Sequence, residues 1–135
     1  MKPGYRDVTR GERMKSEKIN ISEKFEKLSP GDYTVGVIAK MNDYEFKIVK
    51  FKGDFIWHSH PDTDETFIIL EGTLMMNFRD RNVEVQAGEM IVVPKGVEHK
   101  PSSEKGYKAL LIEPEGVPNT GNVQSEKTIA KIEWV

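Results

Sequence analysis

The chain contains no cysteine, which excludes a disulfide framework, a thiolate metal site, an iron-sulfur cluster and a cysteine nucleophile. Its longest apolar stretches, such as Met90 to Val93, fall far short of the roughly 20 residues a membrane-spanning helix needs. The first residues lack the apolar core of a secretory signal. No run of like charge stands out, since 20 basic residues face 22 acidic ones for a net charge of -2. Neither a nucleic-acid stripe nor a polybasic membrane anchor is expected, so nucleic acid and membrane are set aside as partners. A cytoplasmic enzyme or small-molecule-binding protein fits. Histidine is scarce as well, with three in 135 residues, and that scarcity makes their placement informative.

A chain of this length suits one domain whose core buries roughly two-thirds of the unfolded surface. Residues 1–18 are polar, with no period of 2 or 3.6, and read as a flexible or partner-crossing arm. Met14 is a candidate alternative start, which the intact mass of the native protein decides. Residues 19–135 form the single domain. Ile21, Phe25 and Leu28 recur at helical spacing over 19–28, with Asn20 or Ser22 as N-cap, and Ser29-Pro30-Gly31-Asp32 ends this one short helix. After it come about ten short β-like runs, near 34–40, 44–52, 54–60, 65–70, 73–79, 82–86, 90–93, 98–101, 106–113 and 128–134, separated by Gly, Pro, Asn and Asp. The body is all-β, a sandwich, jelly roll or small barrel. In the second run the apolar phase slips between Ile48 and Val49, which predicts a β-bulge there. Lys47, Lys50 and Lys52 read as a solvated, edge-protecting face. Segment 114–127 is a turn-rich loop.

His58 and His60 stand two apart beside the β-formers Phe55, Ile56 and Trp57, so on a strand both imidazoles leave one face. Their Cα atoms would lie about 6.6 Å apart at roughly 3.3 Å per residue, close enough for both rings to reach one ion at about 2 Å. Pro61 to Asp64 reads as a turn, and a hairpin would return Glu65 to the imidazoles. The third histidine, His99, follows a Pro94-Lys95-Gly96 turn. Strand histidines hydrogen-bonded or exposed at a rim are the alternative for the pair alone. Asp62 and Asp64 read as turn residues rather than partners of an imidazole N–H. By parity the pocket should be lined by Ile56, Phe67 and Ile69, with Phe46 and Met76, and Trp57 should pack between layers.

These residues resemble the two motifs of the cupins. Gly53, His58, His60, Glu65 and Gly72 follow the first, with four rather than five residues after the opening glycine; Gly88, Pro94, Gly96 and His99 follow the second, with Ser103 where Asn is usual. The spacer of fifteen residues between Gly72 and Gly88 is like that of compact single-domain microbial cupins. The resemblance implies a jelly-roll barrel of two antiparallel sheets holding one divalent transition metal ion (Fe, Mn, Ni, Cu or Zn) on His58, His60, Glu65 and His99, with positions left for water or substrate. Glu65 is also the candidate catalytic carboxylate. A metal-dependent enzyme on a small organic substrate is the leading reading. The mostly apolar predicted lining tilts it toward oxygenase-like chemistry, with an isomerase, such as the sugar-phosphate type, next. A non-catalytic small-molecule binding or sensor cupin, or an oligomer merely stapled by its metal, is the alternative. Strands apolar on both faces, such as FIIL and ALLI, predict a homodimer.

Overall fold

The computed structural model describes residues 16–135; the arm expected over 1–18 lies outside the described residues except for 16–18, and Met14 lies outside them altogether. Helix α1 spans Ile21–Glu26, shorter than the expected 19–28. Asn20 caps it, its side-chain oxygen accepting from Glu23 N at 3.0 Å. Lys27 and Leu28 then donate back to Lys24 and Phe25 at 3.1 and 3.2 Å, which tightens the last turn before Ser29-Pro30.

Six strands follow: β1 (Tyr33–Met41), β2 (Tyr44–Asp54), β3 (Glu65–Phe78), β4 (Asn82–Gln86), β5 (Met90–Val93) and β6 (His99–Pro114). They form one antiparallel sheet in the order β1-β2-β6-β3-β4, with β5 also paired to β3. The ten expected runs become six: two glycines bend the chain instead of reversing it, which joins four runs into two strands, and two further runs form no strand of their own. Gly72 lies inside β3 and Gly106 inside β6. A Cβ at Gly72 would collide with the Gly106 carbonyl oxygen, so the two bulged strands cross closely only where Gly72, at φ 79°, has no side chain. Run 54–60 is not a strand beyond Asp54; it contributes a single bridge, His58 to His99. Run 128–134 contributes only the bridge from Trp134 to Val37.

The sheet is rolled over on itself in jelly-roll fashion. His99 pairs with Phe78 at one end of β3, yet its Nε2 lies 3.3 Å from Glu65 at the other end. Thirteen steps of straight strand would separate those ends by roughly 43 Å, so β3 and β6 must curl together until the ends face each other across the interior. The hydrogen-bonded ladder itself stays open among the described residues, with β1 and β4 as its ends.

Two apolar layers result. Val49, Phe51, Phe67, Ile69, Leu74 and Met76 belong to the inner core. On the outside Phe25 of α1 covers Ile38 and Ile48. This explains the apolar pair Ile48 and Val49, which is no bulge: each faces a covered layer. The bulges fall instead between Val37 and Ala39, and between Phe51 and Gly53.

Candidate metal centre and its cavity

The side chains of His58, His60, Glu65 and His99 are buried, and one ligating atom from each lies within 4.8 Å of all the others. Glu65 comes from the start of β3 and His99 from the start of β6, while the other two sit on the irregular segment before β3. That segment is shaped by its neighbours. His58 exchanges backbone hydrogen bonds with His99 at 3.1 and 2.9 Å, and His60 O accepts from Gly96 N at 2.9 Å. Alternation holds without a strand, so both imidazoles point inward.

Glu65 Oε1 lies 3.2 Å from His60 Nε2 and 3.3 Å from His99 Nε2. Nδ1 of His58 is 2.8 Å from Ile56 O and Nδ1 of His99 is 2.9 Å from Val97 O. With those nitrogens as donors to carbonyls, each Nε2 is left as the free lone pair. The buried atoms Glu65 Oε1, His99 Nε2 and both ring nitrogens of His60 have no hydrogen-bond partner. Leaving such a group unsatisfied costs about 1–3 kcal/mol. Donors about 2 Å from a common ion lie up to about 4 Å apart, so slight contraction fits the cluster to one cation.

The electrostatics agree. Burial works to raise the Glu65 carboxyl, but contact with His60 and His99 outweighs it and holds the group well below the usual carboxylate range. Burial, then the proximity of His99, lowers His58 to about 4, leaving it neutral at pH 7. For His60, burial pulls down, yet the close negative charge of Glu65 prevails and its pKa rises. An ionised carboxylate and a neutral imidazole are the forms a cation binds.

A cavity of about 40 Å³ opens beside the cluster, more than the roughly 10–15 Å³ one water requires. His58 and Glu65 form part of its wall, with Phe67, Val49, Leu111 and other apolar side chains. Of the expected pocket residues only Phe67 lines it. Ile69 and Met76 are fully buried in the inner core, and half-buried Ile56 packs against that core. Phe46 faces the opposite side and packs in the α1 layer, because the inward parity of β2 is that of Val49 and Phe51. By the same parity Lys47 is not solvated: it is 2% exposed, lines the cavity and pairs with Glu113 Oε2 at 3.1 Å. Trp57 does not lie between layers; it is half-buried on the outside, with the Arg79 guanidinium 3.8 Å from its ring centroid. Asp64 acts in the loop, its Oδ1 accepting from Lys95 N at 2.9 Å.

Loop 114–127 also shapes the site. Ser59, between the two histidines, donates to Asn122 Oδ1 at 2.8 Å, and its carbonyl accepts from Asn122 N at 2.9 Å. Gly121 lies so close that a Cβ there would collide with Ser59 O. Asn119 donates to the Tyr33 hydroxyl at 3.0 Å, and both line the cavity. Ser103, standing where the motif usually has Asn, donates to Thr73 O at 2.6 Å and accepts from Gly106 N at 3.0 Å, fastening the bend of β6 to β3.

Known proteins show the same architecture. The profile of the Cupin domain family matches residues 47–113. The chain is 54% identical to a cupin-2 domain containing protein from Shewanella frigidimarina, over 72% of this chain and 94% of that one, with a TM-score of 0.69. It is 33% identical to protein NMB1881 from Neisseria meningitidis, over 73% of this chain and all 100% of that one, with a TM-score of 0.66. It is also 40% identical over 67 residues to the uncharacterized protein YdbB of Bacillus subtilis, a match taking in 49% of this chain and 59% of YdbB. Among the described residues no helix is long and apolar enough to cross a membrane.

Proposed function

This chain belongs to the cupin domain family, and from that premise we propose that it is a metal-dependent enzyme acting on a small organic molecule. The observation that carries the reading is the group of four buried side chains, His58, His60, Glu65 and His99, whose ligating atoms lie within 4.8 Å of one another, those of His60, Glu65 and His99 being unpartnered. They would hold one divalent transition metal ion, which when bound supplies Lewis acidity beside a substrate oxygen. The cavity then decides between reaction classes. A wholly apolar wall would suit oxygenase chemistry, but Lys47, Glu113 and Tyr33 share this wall with the cluster. Several titratable groups around one small space favour proton transfer of the isomerase or lyase type. The apolar remainder of the wall supports oxygenase chemistry as the second reading.

Elemental analysis of freshly purified protein tests the premise, with about one transition-metal ion per chain expected. Metal-dependent O₂ uptake with small diols or ketoacids, without isomerisation, would reverse the order of the two reaction classes. A metal-loaded protein that turns over nothing in a broad screen, yet melts higher with a metabolite, would be a binding module instead.

Protons compete with the metal for the same lone pairs, so occupancy should fall with acidification, chiefly below about pH 6. His60, whose pKa is raised, takes a proton before His58, whose pKa is lowered, as pH drops. Full occupancy retained at about pH 4.5 would contradict this ligand set.

The proposal includes a homodimer. Leu70, Met90 and Val92 are exposed, and Ile68, paired with Met90, lies among them on the outer side of β3 and β5. A second subunit would cover this apolar surface. Light scattering that gives the monomer mass at working concentration would remove the dimer from the reading.

A further inference from the structure

Lys47 and Glu113 face the same cavity as Glu65 and His58 but lie outside the metal-binding group. Both are 2% exposed. Lys47 Nζ lies 3.1 Å from Glu113 Oε2 and 3.8 Å from Glu45 Oε1. The second oxygen of Glu113, Oε1, is buried without a hydrogen-bond partner. A buried ion pair is seldom a net gain over apolar side chains of the same volume. Stability alone therefore does not account for a pair that keeps one oxygen free beside a cavity.

The surrounding charges indicate what could occupy the space. Two carboxylates beside one ammonium leave no surplus positive charge, and the register that pairs Thr66 with Ile112 brings Glu65 next to Glu113 on the adjacent strand. An organic anion gains little there, whereas a neutral oxygen compound meets a proton donor or acceptor. Burial, then the charge of Glu65, raises Glu113 to about 7 against the pull of Lys47.

We propose that Glu113, seated on Lys47, is the proton-transfer residue of this cavity, and that the substrate is a small neutral carbonyl or hydroxycarbonyl compound. The inference rests on the metal-dependent reading above and adds the acid-base group and the substrate class. In the step, a C–H bond beside the carbonyl breaks. Its proton passes to Glu113 Oε1, its electron pair forms the C=C bond of the enolate, and the carbonyl π pair moves to oxygen. Return of the proton to the same carbon gives exchange; in a hydroxycarbonyl compound, passage of the hydroxyl proton to the former carbonyl oxygen, with protonation of the former carbonyl carbon by Glu113, gives the isomer. No oxidant or reductant enters.

The test is carbon-bound hydrogen exchange in D₂O, followed by proton NMR, on the metal-loaded full chain. Hydroxyacetone and dihydroxyacetone serve as neutral probes and pyruvate as the anionic one, with elemental analysis of every sample. Wild type should exchange the neutral probes at least about tenfold faster than pyruvate. Glu113→Gln should slow that exchange by about 100-fold at unchanged metal content, the lower end of what a general base contributes. Should Glu113→Gln fail to fold, Glu113→Asp retains the carboxylate but withdraws it by one methylene, and should slow exchange about tenfold or more. Wild-type rates in a folded Glu113 variant overturn the proposal, as does the absence of exchange with either neutral probe in metal-loaded wild type. Pyruvate exchanging as fast as the neutral probes overturns the substrate class. Glu113-dependent exchange by protein that takes up no metal sinks the metal reading and keeps this one.

Discussion

Above pH 7, replacing Lys47 with methionine should destabilise the protein by about 3–5 kcal/mol, because it leaves the Glu113 carboxylate buried without its cation. The volume hardly changes, so the loss reports charge and not a cavity. Its pH dependence has a definite sign. Burial raises Glu113 to about 7 in the folded protein from an ordinary value of 4.5. The folded state therefore binds the proton more tightly, and this contribution to stability is fully present below 4.5 and lost as pH rises through 7. Without Lys47 the penalty for ionising Glu113 grows. The deficit of Lys47→Met against wild type should then be small near pH 4.5 and largest above pH 7. Urea unfolding at the two extremes measures it. The double variant Lys47→Met with Glu113→Leu removes both charges and should recover most of the loss. A Lys47→Met protein within about 0.5 kcal/mol of wild type at both extremes would mean that water solvates the pair after all.

The second large effect concerns His99. His99→Ala should lower metal affinity by more than about 100-fold, since outer partners of a metal ligand alone are worth about 10–100-fold. Glu65→Ala should follow, with a smaller loss. Metal that binds only the folded state stabilises it by about 2.7 kcal/mol at 100 times its dissociation constant, so wild type should melt lower after chelation. His99→Ala should show no such drop. His99 is fully buried and its ring nitrogen Nδ1 faces the Val97 carbonyl. Truncation therefore also leaves a hole, costing stability in metal-free protein. Comparing chelated wild type with chelated His99→Ala separates the two contributions. A His99→Ala protein that binds one metal ion per chain with wild-type affinity would remove His99 from the ligand set.

The four clustered residues were legible in the sequence because their signal is local. Two histidines two apart, a carboxylate after a turn and a histidine after Pro-x-Gly each constrain where a side chain can point, and the structure brings the four together. Lys47 was misread for an equally local reason. β2 is covered on both sides, by α1 and by the inner core, so its two parities are both apolar and do not announce which faces inward. Counting back from Val49 and Phe51 would have turned Lys47 inward. Counting forward along β6 from Tyr107, Ala109 and Leu111 does the same for Glu113. Strand ends misled where a glycine bends a strand, since Gly72 at a bulge and a glycine in a turn look alike in sequence. The clasp of Asn122 on Ser59 joins residues far apart in the chain and has no periodic signature at all.

β6 has a hydrogen-bonded neighbour on each side, β2 and β3, and carries His99 at its first residue and Glu113 next to its last. A segment held along both margins opens with the largest cooperative unit of a protein rather than by fraying. The proposed metal ligand and the proposed proton-transfer residue are thereby tied to a single unfolding event. Heat or denaturant should abolish both roles together, leaving no half-functional species in between.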